Sequence, residues 1–136
     1  MKLVIDANIL FSILIKKSKT EELLYDPIFE FYAPEFLFEE FQKYEKLILS
    51  KTQRNHMDFQ HILFLLKSKI FIISYNMLFP FLDDAKKITP DLNDVQYFAA
   101  ALQLKCSIWS NDKNLKIKQN VICVYTSEDL LTIFFS

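Results

Sequence analysis

Asp6, Glu40, Asp94 and Asp112 stand where the sequence reads as a strand end or as the otherwise apolar face of a helix, without a local partner. A carboxylate in such a place is costly unless it is solvated, paired or bound to metal. Asp6 closes Leu3-Val4-Ile5, a short apolar run of the kind that forms a buried strand in a parallel sheet. The carboxyl ends of such strands are where ligands bind in open α/β sheets. Asp112 follows Ile108-Trp109-Ser110-Asn111, a strand running out into a polar turn, and is expected at the same edge. Asn111-Asp112-Lys113-Asn114 is equally good chemistry for an Asx-turn.

Helical geometry brings in the other two acids. At about 100° per residue, Leu37, Phe41, Tyr44 and Ile48 form one stripe, with Glu40 about 60° from its centre and Glu39 on the opposite face. Phe98 and Ala101 fall within about 40° of Asp94, which puts a carboxylate in a buried stripe one turn from a helix start. The plain alternatives are a salt-bridged flank for Glu40 and a favourable charge at a helix N-terminus for Asp94. Asp91 suits a cap, and could lean into the same site. If the four acids converge at one sheet edge, their repulsion must be neutralised. Oxygen-only ligands select hard cations, so one or two Mg²⁺ or Mn²⁺ ions are expected, with chemistry on phosphoryl groups.

The elements that must hold these acids alternate between strand and helix, which favours a parallel sheet covered on both faces. Strands are expected at Leu3 to Ile5, Phe29 to Ala33, Lys69 to Ser74, Cys106 to Trp109 and Val121 to Val124. Helices are expected from Ala7 to Lys16, from a Thr20 cap through Glu21 and Glu22, and from Glu35 to Leu49 with Pro34 in its first turn. Others run from Asn55 to Lys67, from Met77 to Ile88 with Pro80 in the first turn, from Asn93 to Leu104, and from Ser127 to Phe135 capped by Thr126. The fold expected is a three-layer α/β/α sandwich with a five-stranded parallel sheet, one domain over residues 1–136.

Composition narrows the function. With 51% hydrophobic residues the chain can bury a core, and a net charge of −1 argues against coating nucleic acid through a general positive field. There is no glycine, which argues against P-loops and dinucleotide fingerprints. Cys106 and Cys123 fall in apolar, strand-like segments and are expected to be small buried hydrophobes, not a disulfide. The longest uncharged run, Ile70 to Leu82, is interrupted by Asn76 and Pro80 and is too short to span a membrane. Asp6 splits the apolar N-terminus, and no small-residue cleavage site follows it. A cytoplasmic protein is the expectation.

Four segments then carry a resemblance in order along nearly the whole chain. They are Val4-Ile5-Asp6-Ala7-Asn8-Ile9-Leu10, the pair Glu40-Phe41 after a strand and Pro34, Asp94 through Ala101, and Trp109-Ser110-Asn111-Asp112-Lys113-Asn114-Leu115. Together they resemble the PIN domain family. The resemblance implies a five-stranded parallel sheet between helices and a metal-dependent ribonuclease, including the toxins of VapC-like toxin–antitoxin systems. It implies that Asp6, Glu40, Asp94 and Asp112 are the metal-binding quartet, with Asn8 and Ser110 as small polar residues that orient the acids. Asn111 stands where the family's turn often carries Gly, and it tolerates the same left-handed backbone. RNA, an antitoxin protein and a second copy of the chain are the expected partners.

Basic residues could steer a polyanion past the acids. Lys113, beside Asp112, is the first choice, with Lys16 and Lys17 after the first helix; Lys43, Lys46, Lys51 and Arg54 mark the helical hairpin. The aromatic residues, Trp109 included, read as core packing. His56 and His61 are poorly spaced for one helical face and have no assigned role. The apolar stretch Leu130 to Phe135 should pack on the sheet or serve a dimer. Two other readings remain open. One is a non-catalytic PIN-like module that binds RNA or assembles complexes. The other is a phosphatase of the haloacid dehalogenase type with Asp6 as nucleophile, which wants a second Asp where Asn8 stands.

Overall fold

Leu3, Val4 and Ile5 are completely buried, as expected of a central strand covered on both faces. The computed structural model describes residues 1–15, 19–52 and 55–135. Lys16, Lys17 and Arg54 lie outside them. In chain order the elements are β1 (Lys2–Ile5), α1 (Ala7–Ile15), α2 (Lys19–Tyr25), β2 (Glu30–Pro34), α3 (Phe36–Lys43), α4 (Glu45–Lys51), α5 (His56–Lys69) and β3 (Ile70–Ile73). There follow α6 (Tyr75–Leu78), α7 (Leu82–Ile88), α8 (Val95–Leu104), β4 (Ser107–Trp109), α9 (Lys113–Ile117), β5 (Val124–Tyr125) and α10 (Ser127–Phe135).

All strand pairs are parallel, in the order β3-β2-β1-β4-β5. The chain builds outward from β1 through β2 to β3, then crosses back to place β4 on the other side of β1. That reversal opens a crevice at the carboxyl ends of β1 and β4, the usual ligand position in such sheets. Buried residues of α1, α3, α5 and α8 join the sheet residues in one apolar core. Trp109 is wholly buried there, and its Nε1 donates to Ser127 Oγ at 3.1 Å.

Several boundaries differ from the sequence expectation, each for a local reason. Pro34 ends β2 in register with Ile73, and the Glu35 amide donates to the Ile73 carbonyl at 3.1 Å, so pairing with β3 does not call on the N–H that proline lacks. The helix expected from Glu35 to Leu49 breaks at Tyr44, whose backbone leaves the helical region at φ −100°, ψ 11°. Its ring meets Phe11 edge-on at 5.9 Å, while Ile48 beyond it returns to the core. Pro80 splits the helix expected from Met77 to Ile88 into α6, a 3₁₀ turn at Phe79–Phe81, and α7. Thr20 lies inside α2 and does not cap it.

The strand expected from Val121 starts at Val124 because the Gln119 side chain has taken the preceding backbone. Its Oε1 accepts from the amides of Val121 and Ile122 at 3.0 and 2.9 Å, and its Nε2 donates to the carbonyls of Leu115 and Ile122 at 2.7 and 2.8 Å. Cys123 is exposed, Cys106 is half-buried, and both are free thiols. At α10 the expected cap is reciprocal: Thr126 Oγ1 accepts from the Asp129 amide at 3.1 Å and Asp129 Oδ2 accepts from the Thr126 amide at 2.9 Å. Leu130 of α10 is buried, and Phe134 meets Phe29 edge-on at 5.2 Å, while Ile133 and Phe135 remain exposed. Among the described residues no helix is long and apolar enough to cross a membrane.

Candidate active site

Asp6 occupies the position immediately after β1, and its amide donates to the Trp109 carbonyl at 3.1 Å, so sheet bonding fixes its backbone. The side chain is only 4% exposed. Ser110, which follows β4 and is completely buried, donates from Oγ to Asp6 Oδ2 at 2.7 Å. The same Ser110 oxygen accepts from the Asp112 amide at 3.1 Å. One hydroxyl therefore ties the first acid to the backbone of the last. Asn8 meets Asp6 differently: its backbone amide, not its exposed side chain, reaches Asp6 Oδ1, at 3.4 Å. Burial raises the Asp6 carboxyl above the ordinary value, with Asp112 adding to the rise, against the bonds from Ser110 and Asn8.

The other two acids of the groove stand on helices. Glu40 is half-buried on α3 beside Leu37 and Phe41, whereas Glu39 is exposed. Burial and then the charge of Asp6 raise its pKa, while Lys43 lowers it. Asp94 is half-buried at the head of α8, after a 3₁₀ turn at Leu92–Asp94, and its side chain makes no capping bond. Its pKa is pushed up to about 7, first by burial and then by the charges of Asp6, Asp91, Asp112 and Glu40. Asp91 takes the capping work, accepting from the Asn93 amide at 2.9 Å. Asp112 caps α9 by accepting from the Asn114 amide at 2.9 Å, so the turn role holds while its charge still reaches Asp6 and Asp94.

Asp6, Glu40 and Asp94 line one groove of about 740 Å³, together with Asn8 and Tyr97. Lys43, Lys51, Tyr44 and Leu47 form part of its wall. Asp112 borders a separate depression of about 350 Å³ with Asp91 and Lys118. Thus three of the four expected acids share the groove, and the fourth is joined to them by Ser110 and by its charge. Among the described residues the ion pairs are His56–Glu45, Lys87–Asp84 and Lys116–Asp129, which leave these four acids unpaired.

An oxygen-only set with that much unrelieved negative charge fits a hard divalent cation. The fit lies in the donor chemistry: among the described residues no three His, Cys, Asp or Glu side chains form a ready metal cage.

Lys113, the expected RNA contact, is exposed at the start of α9. Asn111 does not take a left-handed backbone; among the described residues only Lys105 does, at φ 53°. Asn111 Oδ1 instead accepts from the Ser127 amide at 2.8 Å, which anchors the loop to α10. Tyr97 reads in sequence only as core. The one signal that could have found it is a phenol a helical turn after Asp94, on the same face.

Comparison with solved structures shows the same fold. A toxin–antitoxin complex from Klebsiella pneumoniae contains a chain that is 15% identical with a TM-score of 0.68, covering 92% of this chain and 97% of that one. A chain of VapBC2 from Rickettsia felis, in a crystal structure with a DNA fragment from their promoter, is 16% identical with a TM-score of 0.63, covering 93% of this chain and 98% of that one. No curated protein matches the sequence. The PIN domain model matches residues 4–122, and the chain belongs to the PIN domain family.

Proposed function

We propose that this protein is an endoribonuclease that hydrolyses RNA phosphodiester bonds with Mg²⁺ or Mn²⁺, and that it is the toxin of a type II toxin–antitoxin pair. The observation that carries the reading is the convergence of Asp6, Glu40 and Asp94 in one groove, with Asp94 held at a pKa of about 7 by burial and by its neighbours. A divalent cation held by Asp6, Glu40 and Asp94, with Asp112 beside them, would polarise the phosphoryl oxygen and make water more acidic.

The chain's own residues supply the rest. Ser110 fixes the Asp6 carboxylate through its 2.7 Å bond. Lys43 and Lys51 on the groove wall offset the field of the acids and draw in the phosphate backbone. Lys113 extends the positive approach beyond Asp112. The toxin assignment is supported by the fold shared with chains of a toxin–antitoxin complex and of VapBC2. An antitoxin that neutralises the enzyme would cover the acidic groove.

One observation favours a second reading, a non-catalytic RNA-binding module: no three acids among the described residues form a ready metal cage. Cleavage of structured and single-stranded RNAs with Mg²⁺, Mn²⁺ or EDTA, comparing wild type with Asp6→Asn and Asp94→Asn, separates the two. Cation-dependent cutting lost in both variants supports the nuclease. RNA binding without cutting under any condition supports the module.

A further inference from the structure

Tyr97 is 2% exposed and lines the same groove as Asp6, Glu40 and Asp94, yet its hydroxyl has no hydrogen-bond partner among the described residues. Burying a donor unpaired carries a desolvation penalty, and native proteins keep few of them. Packing does not require this one: the ring meets Phe36 at 5.3 Å, a contact phenylalanine would also make. The charges of Asp6, Glu40 and Asp94 all oppose loss of the phenol proton, so the group is a donor. The Ala7 amide favours the phenol oxygen, but an amide there uses a lone pair and leaves the O–H proton unspent.

Asp6 shows the complementary deficit. Its Oδ2 takes the 2.7 Å bond from Ser110, whereas Oδ1 takes the long 3.4 Å contact from the Asn8 amide, and the Ala7 amide adds a weaker pull on the carboxylate. A buried carboxylate short of a donor and a buried phenol short of an acceptor thus share one groove. Of the three carboxylates that act on the phenol, Asp6 acts most strongly.

We propose that Tyr97 is a positioning residue whose O–H completes the hydrogen bonding of the Asp6 carboxylate when the groove takes a divalent cation, fixing that carboxylate towards the ion. The inference rests on the metal-centre reading above. Outer partners that orient metal-binding side chains typically change affinity by about 10–100-fold when removed.

The test uses the full chain, wild type and Tyr97→Phe, without RNA. Metal-free Tyr97→Phe is expected to melt close to the wild-type temperature, because the O–H it loses has no partner among the described residues and the Ala7 amide has only a minor effect on the phenol oxygen. Its affinity for Mn²⁺, read by calorimetry, is expected to fall about tenfold. Equal Mn²⁺ affinity in the two proteins overturns the inference and leaves the metal centre standing. Lower melting of the metal-free variant also overturns it, since the hydroxyl would then be holding the resting fold. Absence of Mn²⁺ binding by wild type overturns the metal-centre reading itself, and the inference with it.

Discussion

Replacing Asp94 with asparagine should stabilise the metal-free protein above neutral pH and weaken its response to metal. The folded-state pKa of about 7 lies well above the ordinary value of 3.8. A raised carboxylate pKa means that the folded chain holds a proton which the unfolded chain has released between those two values. Wild-type stability therefore falls as pH rises from about 4 to about 7, and the penalty is complete above pH 7. At about 1.4 kcal/mol per pH unit the limit is about 4 kcal/mol, and screening at a half-buried side chain reduces it to about 1–2 kcal/mol.

An asparagine side chain cannot ionise, so Asp94→Asn should gain that amount at about pH 8 in EDTA and almost nothing at about pH 4. The corresponding rise in melting temperature is about 3–8 °C. Urea and thermal denaturation at both pH values measure it. Saturating Mn²⁺ should reverse the order at the higher pH, because ion at about 100 times its Kd adds about 2.7 kcal/mol to a protein that binds it. A variant less stable than wild type at the higher pH in EDTA, or a difference independent of pH, would refute the electrostatic reasoning.

Ser110→Ala should cost about 1–3 kcal/mol by urea denaturation, because it leaves the buried Asp6 Oδ2 unpaired. Lys105→Gly should raise stability by up to about 1 kcal/mol, since glycine removes the Cβ strain at φ 53°; thermal denaturation reads this, and no gain would show that Lys105 is unstrained there. Lys43→Ala with Lys51→Ala should lower the salt slope of RNA binding by about 0.7 per lost phosphate contact, measured by titration between about 50 and 200 mM salt. An unchanged slope would place the phosphate path elsewhere.

The acids were legible because each violates its surroundings. Asp6 ends a run that is otherwise wholly apolar, and Glu40 and Asp94 interrupt apolar helix faces, so periodicity alone marked them. The parallel α/β class followed from the alternation of elements. Strand ends were less legible because they depend on contacts made at a distance. Gln119 gives no sign in sequence that it will take up the backbone of Val121 and Ile122. Pro34 reads in sequence as a helix start, and its place at the end of a strand is set by Ile73 across the sheet. Tyr97 looked like core because it is core; only the lack of a partner for its hydroxyl among the described residues sets it apart.

The bond from Ser110 to Asp6 spans 104 residues, and the central strand that Asp6 follows finds its two partners only in β2 and β4. During synthesis β1 is the first of the five strands to emerge and among the last to be enclosed. Contacts this far apart in sequence form late, after the entropy of closing the intervening loop has been overcome. Until β4 has left the ribosome, Asp6 has neither its orienting hydroxyl nor the fourth acid beside it. Any chemistry that the groove performs would therefore wait until β4 has docked. Fragments released before β4 would carry Asp6, Glu40 and Asp94 without Ser110 and Asp112.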